Sequence, residues 1–103
     1  MSSDAPVCAP EQQLIYGGGR SEPVNITCLV EASPAPHNFS WSLNTSSDVV
    51  DVHRSRAKNR GLSSVLAYTP QTDLDYGALL CRAENIIGRQ KIACVYQASR
   101  KIR

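Results

Sequence analysis

The chain has 103 residues, a mass of 11.2 kDa and a formal net charge of +2, enough for one domain with a core but little room for a deep active site. Apolar residues make up 42% and charged residues 19%, a balance that argues against disorder and against long-range steering of a polyanion such as nucleic acid. The longest apolar runs, such as Ala78–Cys81 and Ile92–Tyr96, are four or five residues long, far below the roughly 18–20 that cross a bilayer.

In chain order the recurring signal is alternation with period two, not a helical period. The polar start Met1-Ser-Ser-Asp has no apolar segment of a signal peptide, so residues 1–7 are expected to be linker, with Met1 an expression start. Gly17-Gly-Gly-Arg20 is a turn signal. Val24, Ile26, Cys28 and Val30 alternate with polar residues and predict a half-buried strand. After the turn signal Ser33-Pro-Ala-Pro36, Phe39, Trp41 and Leu43 predict a second strand. His53-Arg-Ser-Arg-Ala-Lys-Asn-Arg60 is the one charge run, and Asn59-Arg-Gly61 closes it with a turn. Val65–Tyr68 belongs to a third strand, stopped by Pro70. Asp75-Tyr-Gly77 is a turn; beyond it Leu79, Cys81 and Ala83 face one way and Leu80, Arg82 and Glu84 the other. Asn85–Gly88 turns into a last strand from about Gln90 to Gln97, apolar on both faces and so without an assignable orientation. Residues 98–103, ending Arg100-Lys-Ile-Arg103, are expected to be a linker stub.

The four cysteines, Cys8, Cys28, Cys81 and Cys94, contain no C-x-x-C pair, and His37 and His53 have no metal-ligand spacing. Three disulfide pairings are open, with four free thiols in a cytosolic protein as the alternative. Three N-x-[S/T] sequons begin at Asn25, Asn38 and Asn44. With the cysteines they favour an extracellular protein, secreted or at the cell surface, and a module cut from a longer ectodomain.

Cys28, Trp41 and Cys81 lie 13 and 40 residues apart, each on the inward phase of its strand. Asp75-Tyr-Gly-Ala-Leu-Leu-Cys81 resembles the D-x-G-x-Y-x-C run of immunoglobulin domains. Cys81-Arg-Ala-Glu-Asn-Ile-Ile-Gly88 resembles the C-x-A-x-N-x-x-G run of their I-set, and Glu22–Cys28 looks like a strand B of that class. The resemblance covers Glu22 to Tyr96. It implies an all-β, Greek-key, immunoglobulin-like β-sandwich of I-set or C2 type over residues 8–97, with two disulfides and no cofactor. It implies a Cys28–Cys81 bridge between the sheets with Trp41 against the sulfurs, and a Cys8–Cys94 bridge across the termini; pairing of Cys8 with a neighbouring domain is the alternative. The 53 residues from Cys28 to Cys81 leave room for a strand C′ or D but hardly for both C′ and C″. The core signature is Trp41, Asp75, Gly77 and Leu79. Leu79 departs from the pattern, since a tyrosine is usual there; apolar packing, with Tyr76 as partial substitute, is expected to hold that corner at a loss of about 1 kcal/mol.

Leu66-Ala-Tyr-Thr-Pro-Gln-Thr-Asp-Leu-Asp-Tyr-Gly-Ala-Leu-Leu-Cys81, with Cys8, Ile15-Tyr-Gly17 and the late Cys94, is similar to an inner domain of the Sidestep family of arthropod cell-surface receptors. That resemblance implies cell adhesion and axon guidance, with immunoglobulin proteins of the Beaten path type as partners of the full receptor. Contacts with neighbouring domains are also expected, and the low net charge and short apolar runs lead to an expectation of no nucleic acid and no membrane insertion by this segment. A Leu at position 79 is then expected.

No catalytic set emerges. Asp48, Asp51, Asp73 and Asp75 lack a histidine partner or a nucleophile elbow, and Gly17–Gly19 lacks the Lys-Ser/Thr of a phosphate loop. Asp73 or Asp75 is expected to pair with Arg54, Arg56 or Arg60. Arg54, Arg56, Lys58 and Arg60 are a candidate contact for an anionic surface; the plainer reading is a charged strand edge that discourages pairing. Sugars at Asn25, Asn38 and Asn44 would confine partners to edges, to the Ile86–Ile87 region or to adjacent domains. The function expected is a non-catalytic extracellular receptor module for recognition or spacing. The alternatives are a structural spacer of matrix or muscle-filament type and an ectodomain module of a receptor kinase or phosphatase.

Overall fold

The computed structural model describes residues 3–45 and 48–100. The chain forms nine strands: β1 (Asp4–Cys8), β2 (Ile15–Gly18), β3 (Val24–Ser33), β4 (Asn38–Asn44), β5 (Val49–Val52), β6 (Ala57–Arg60), β7 (Ser63–Tyr68), β8 (Gly77–Glu84) and β9 (Cys94–Arg100). They build two sheets, β1-β3-β7-β6 and β2-β9-β8-β4-β5. All neighbours are antiparallel except β2, which runs parallel to β9. Each inner face comes from strands that alternate buried and exposed residues, as the period-two pattern requires.

Ile26, Cys28 and Val30 of β3 meet Trp41 and Leu43 of β4, Leu66 and Tyr68 of β7, and Leu79, Cys81 and Ala83 of β8 in one buried cluster. Trp41 stands directly across from Cys81 in the β4–β8 ladder. Its ring lies 5.9 Å from that of Tyr96, which takes Tyr16 edge-on at 6.4 Å. The indole N–H donates to Ser64 Oγ at 2.9 Å, and that hydroxyl donates to Asn59 Oδ1 at 2.6 Å, so a serine with no exposed surface has a partner on each side.

Both disulfides form as the resemblance implied: Cys28–Cys81 and Cys8–Cys94. The second does more than join the ends. Cys8 belongs to the four-stranded sheet and Cys94 to the five-stranded one, so both bridges pin sheet to sheet. The N-terminal segment divides between the sheets, because β1 pairs with β3 whereas β2 pairs with β9.

Several boundaries differ from the sequence reading. Residues 4–7, expected as linker, lie in β1, and residues 98–100, expected as stub, lie in β9; the ladders with β3 and β2 draw them in. Residues 101–103 of the expected tail fall outside the described residues. Gly17 and Gly18, expected as turn, belong to β2, and the turn follows at Gly19–Glu22. The last strand starts at Cys94, not Gln90. Gln90 is 3% exposed because its side chain takes the place of a ladder bond: Oε1 accepts Ala83 N–H at 3.0 Å and Nε2 donates to Ile92 O at 2.8 Å. The β9 phase is now fixed, with Cys94, Tyr96 and Ala98 inward.

The β7–β8 corner explains the signature. Gly77 has φ +157, and a Cβ there would lie 3.2 Å from Asn44 O, so a side chain there is strained and crowds that carbonyl. The Asp75 carboxylate accepts the N–H groups of Gln71 at 2.8 Å and Thr72 at 3.0 Å. The phenol missing at Leu79 comes from another strand: Tyr68 Oη donates to Asp75 O at 2.5 Å. Tyr76 Oη instead donates to Gly18 O at 3.2 Å. Leu79 is fully buried between Leu43 and Tyr96.

Where the chain crosses from β1 to β2, the outer edge of β3 would be left without a ladder partner. Gln12 fills it: Nε2 donates to Ala9 O at 2.7 Å and Leu29 O at 2.9 Å, while Oε1 accepts Leu29 N–H at 3.1 Å and Tyr96 O–H at 2.6 Å. Tyr16 Oη accepts Thr27 N–H at 3.3 Å one step along. Gln12→Ala is expected to lower unfolding free energy by about 2–3 kcal/mol, since paired groups lose their partner together; Gln13→Ala beside it should change it by less than about 0.5 kcal/mol. Denaturant titration of the two variants checks this.

Burial raises Tyr96 to a pKa of about 12; burial, aided by the negative charge of Asp75, raises Tyr68 to about 12. Below pH 10.0, the ordinary tyrosine value, both phenols are neutral in folded and unfolded chains. Between there and about 12 the unfolded chain loses these protons while the folded chain keeps them, so stability falls as pH rises. Thermal melts across that window should drop steeply, and more gently in Tyr68→Phe and Tyr96→Phe.

Candidate functional site

Three surfaces concern function: the exposed sequon asparagines, an apolar strip beside the Cys8–Cys94 bridge, and a basic groove on the five-stranded sheet. Asn25 is exposed on β3, and Asn38 and Asn44 are exposed at opposite ends of β4. Ser46 of the third sequon lies outside the described residues. The asparagines therefore sit on the outward phases of both sheets, as alternation from Ile26 and Phe39 requires.

The second surface runs along the edge where β1 and β9 approach. Ala5, Pro6, Val7 and Ile92 line a groove of about 440 Å³ on one side of Cys8, and Leu14 and Val95 line a second on the other. Ile92 is 82% exposed, Ile86 80% and Val7 56%. Sequence reasoning singled out Ile86 and Ile87 but missed Val7 and Ile92, because whether a residue in a loop or edge strand is covered depends on which strand lies beside it.

Asn85 holds the turn that presents Ile86 and Ile87. Its Oδ1 accepts Ile87 N–H at 3.0 Å and Gly88 N–H at 3.2 Å, and Nδ2 donates to Asp4 O and Pro34 O at 2.8 and 2.9 Å. One buried amide thus ties two loops and the start of β1 at one end of the sandwich.

The charge run does not form one patch. Arg54 and Arg56 sit in a 3₁₀ turn, Arg54–Arg56, capped by His53 Nδ1 accepting Ser55 N–H at 3.1 Å. Ala57 packs against the core and Asn59 bonds buried Ser64, so Lys58 and Arg60 take the opposite phase and face outward from the four-stranded sheet. Arg56 lies near Tyr68, where its charge acts on the phenol. His53 and Arg54 turn to the other sheet, lining a groove of about 480 Å³ with Arg82 and Arg89. The expected pairing of Asp73 or Asp75 with Arg54, Arg56 or Arg60 is not formed. Asp73 binds Arg20 at 2.8 Å and also Arg100, and Asp75 is spent on the turn. Arg100 also lies over the Tyr76 ring at 5.4 Å.

No protein-family model matches the sequence, and no curated protein does. Solved structures do match. A Dscam structure concerned with isoform specificity superposes with a TM-score of 0.68 at 20% identity, over 96% of this chain and 25% of that one. Titin domain M4 gives 0.72 at 12% identity over 98% of this chain and 100% of that one. The titin Z1Z2 pair, solved in complex with telethonin, gives 0.71 at 16% identity over 100% of this chain and 51% of that one. This is an immunoglobulin-like fold. The chain spans about a quarter of the Dscam chain and half of the titin pair.

Proposed function

We propose that this immunoglobulin-like chain is a non-catalytic extracellular module of a cell-surface receptor, acting by protein recognition or as a spacer between recognition domains. The two disulfides between the sheets carry this reading, because such bonds persist in oxidising compartments and are rare in the cytosol. The sequon asparagines, all exposed, agree with it. The motif likeness to Sidestep receptors supports an I-set module in adhesion and axon guidance, with Beaten path-like immunoglobulin proteins as partners of the whole receptor. The structural spacer reading draws on the likeness to titin domains, and it predicts no binding to receptor ectodomains.

With sugars on both broad faces, a protein partner docks at the end and edge marked by Ile86, Ile92 and Val7. A binding screen of the chain against receptor ectodomains should find a partner that Ile86→Asp with Ile92→Asp weakens at least tenfold. Absence of any partner would favour the spacer.

Expression by secretion from insect cells tests the compartment. Asn25→Gln, Asn38→Gln and Asn44→Gln should each lower the apparent mass by one glycan. Unchanged mobility refutes occupancy at that site, and failure of all three argues against the extracellular reading.

A further inference from the structure

We propose that Arg54, Arg82 and Arg89 form a binding groove for a sulfated glycosaminoglycan chain, a site that rests on the extracellular reading above but not on any protein partner.

The groove is assembled by the sheet, not by the charge run. Arg82 lies on the outward phase of β8, directly beside Ser40 of β4. Val52 pairs with Trp41, so the chain leaving β5 carries His53 and Arg54 past the same level of β4. On the far side Arg89 forms a bridge pair with Glu84, two residues along β8 from Arg82. Three arginines from three separate segments therefore meet over Ser40, and they line the same groove of about 480 Å³.

Their charges are available. Among the described residues none of the three takes part in an ion pair. Among the described residues Asp51 is the single acid lining the groove, and Glu84, the bridge partner of Arg89, lies outside the lining. Three arginines against one aspartate leave the groove with two net positive charges, as many as the whole chain carries. An unpaired cationic cluster in a concave site concentrates anions, and the guanidinium fork suits tetrahedral oxyanions better than an ammonium does.

The shape chooses among anions. The floor is the outer face of β4 and β8, with Ser40, Ser42 and Leu80, and the groove opens to solvent. A polysaccharide strand is thin and carries closely spaced sulfates whose charge does not titrate near neutrality. Asn38 stands on one wall. A glycan there obstructs a broad protein surface approaching this face but leaves a path for a thin chain.

Immobilised heparin at about 0.15 M salt tests the site with the intact 103-residue chain. Wild type and Asn38→Gln are expected to bind alike. Each of Arg54→Ala, Arg82→Ala and Arg89→Ala should weaken binding about tenfold, the worth of one charge-assisted hydrogen bond, with melting unchanged. Lys58→Ala with Arg60→Ala, on the other sheet, should stay within about threefold. Absence of wild-type binding overturns the proposal. So does equal loss in the Lys58/Arg60 variant, which would move the site to the strand edge. So does binding by Asn38→Gln alone, which would mean the secreted groove is closed. Polyglutamate displacing the protein as well as free heparin does would overturn it in favour of an acidic protein surface. The Asn38→Gln arm reads the glycan at that site, and the other outcomes depend neither on the ectodomain screen nor on glycan mobility, so the groove and the receptor reading fail separately.

Discussion

A peptide group taken out of water must keep a hydrogen-bond partner, and this domain is organised around the places where its ladders cannot supply one. The N-terminal segment leaves the four-stranded sheet at Cys8 and joins the five-stranded sheet at Ile15. That crossing would strand the edge of β3. The Gln12 amide presents one acceptor and two donors, as a passing strand would, and all are used. Gln90 does the same where β9 breaks away from β8, and Asn85 where two loops meet the start of β1. No buried side-chain nitrogen or oxygen among the described residues lacks a partner. Polar satisfaction of this kind permits a sandwich with irregular ends to stay dry inside.

The same crossing sets the role of the second disulfide. Because β1 and β9 lie in different sheets, Cys8–Cys94 is an inter-sheet bridge. It closes a loop of 86 residues and Cys28–Cys81 one of 53; in the loop-entropy account each constrains the unfolded chain by about 4 kcal/mol. Few aromatic residues are needed when covalent bonds hold the layers together. Trp41, Tyr16 and Tyr96 are gathered in one stack, with their polar atoms bonded to Ser64, Thr27 and Gln12.

Individual residues mark how far the sequence could be read. Alternation around Cys28, Trp41 and Cys81 was legible because a strand with one buried face repeats every two residues. The strands containing these residues formed on the expected phase. Leu79 read as a lost tyrosine corner, yet Tyr68 supplies the phenol from β7; a contact between strands leaves no local pattern. The last strand read four residues early, because nothing local distinguishes a Gln in a ladder from one whose side chain replaces the ladder. The candidate basic site was legible only at Arg54. Arg82 read as an ordinary outward residue until β8 was set beside β4, and nothing local marked Arg89, which the turn after β8 brings to the groove.

Sequence by itself determined the all-β class, the inward phase of most core strands, the cysteine pairing through a family pattern, and the Asp75–Gly77 corner. These follow from rules that act over two to ten residues or from a spacing held in common with immunoglobulin domains. Tertiary structure alone decided that β1 and β2 belong to different sheets, that Asp73 binds Arg20 and Arg100, and that one charge run is split between two faces. Register between strands distant in sequence controls each of these, and a shift of one residue would send every side chain involved to the opposite face.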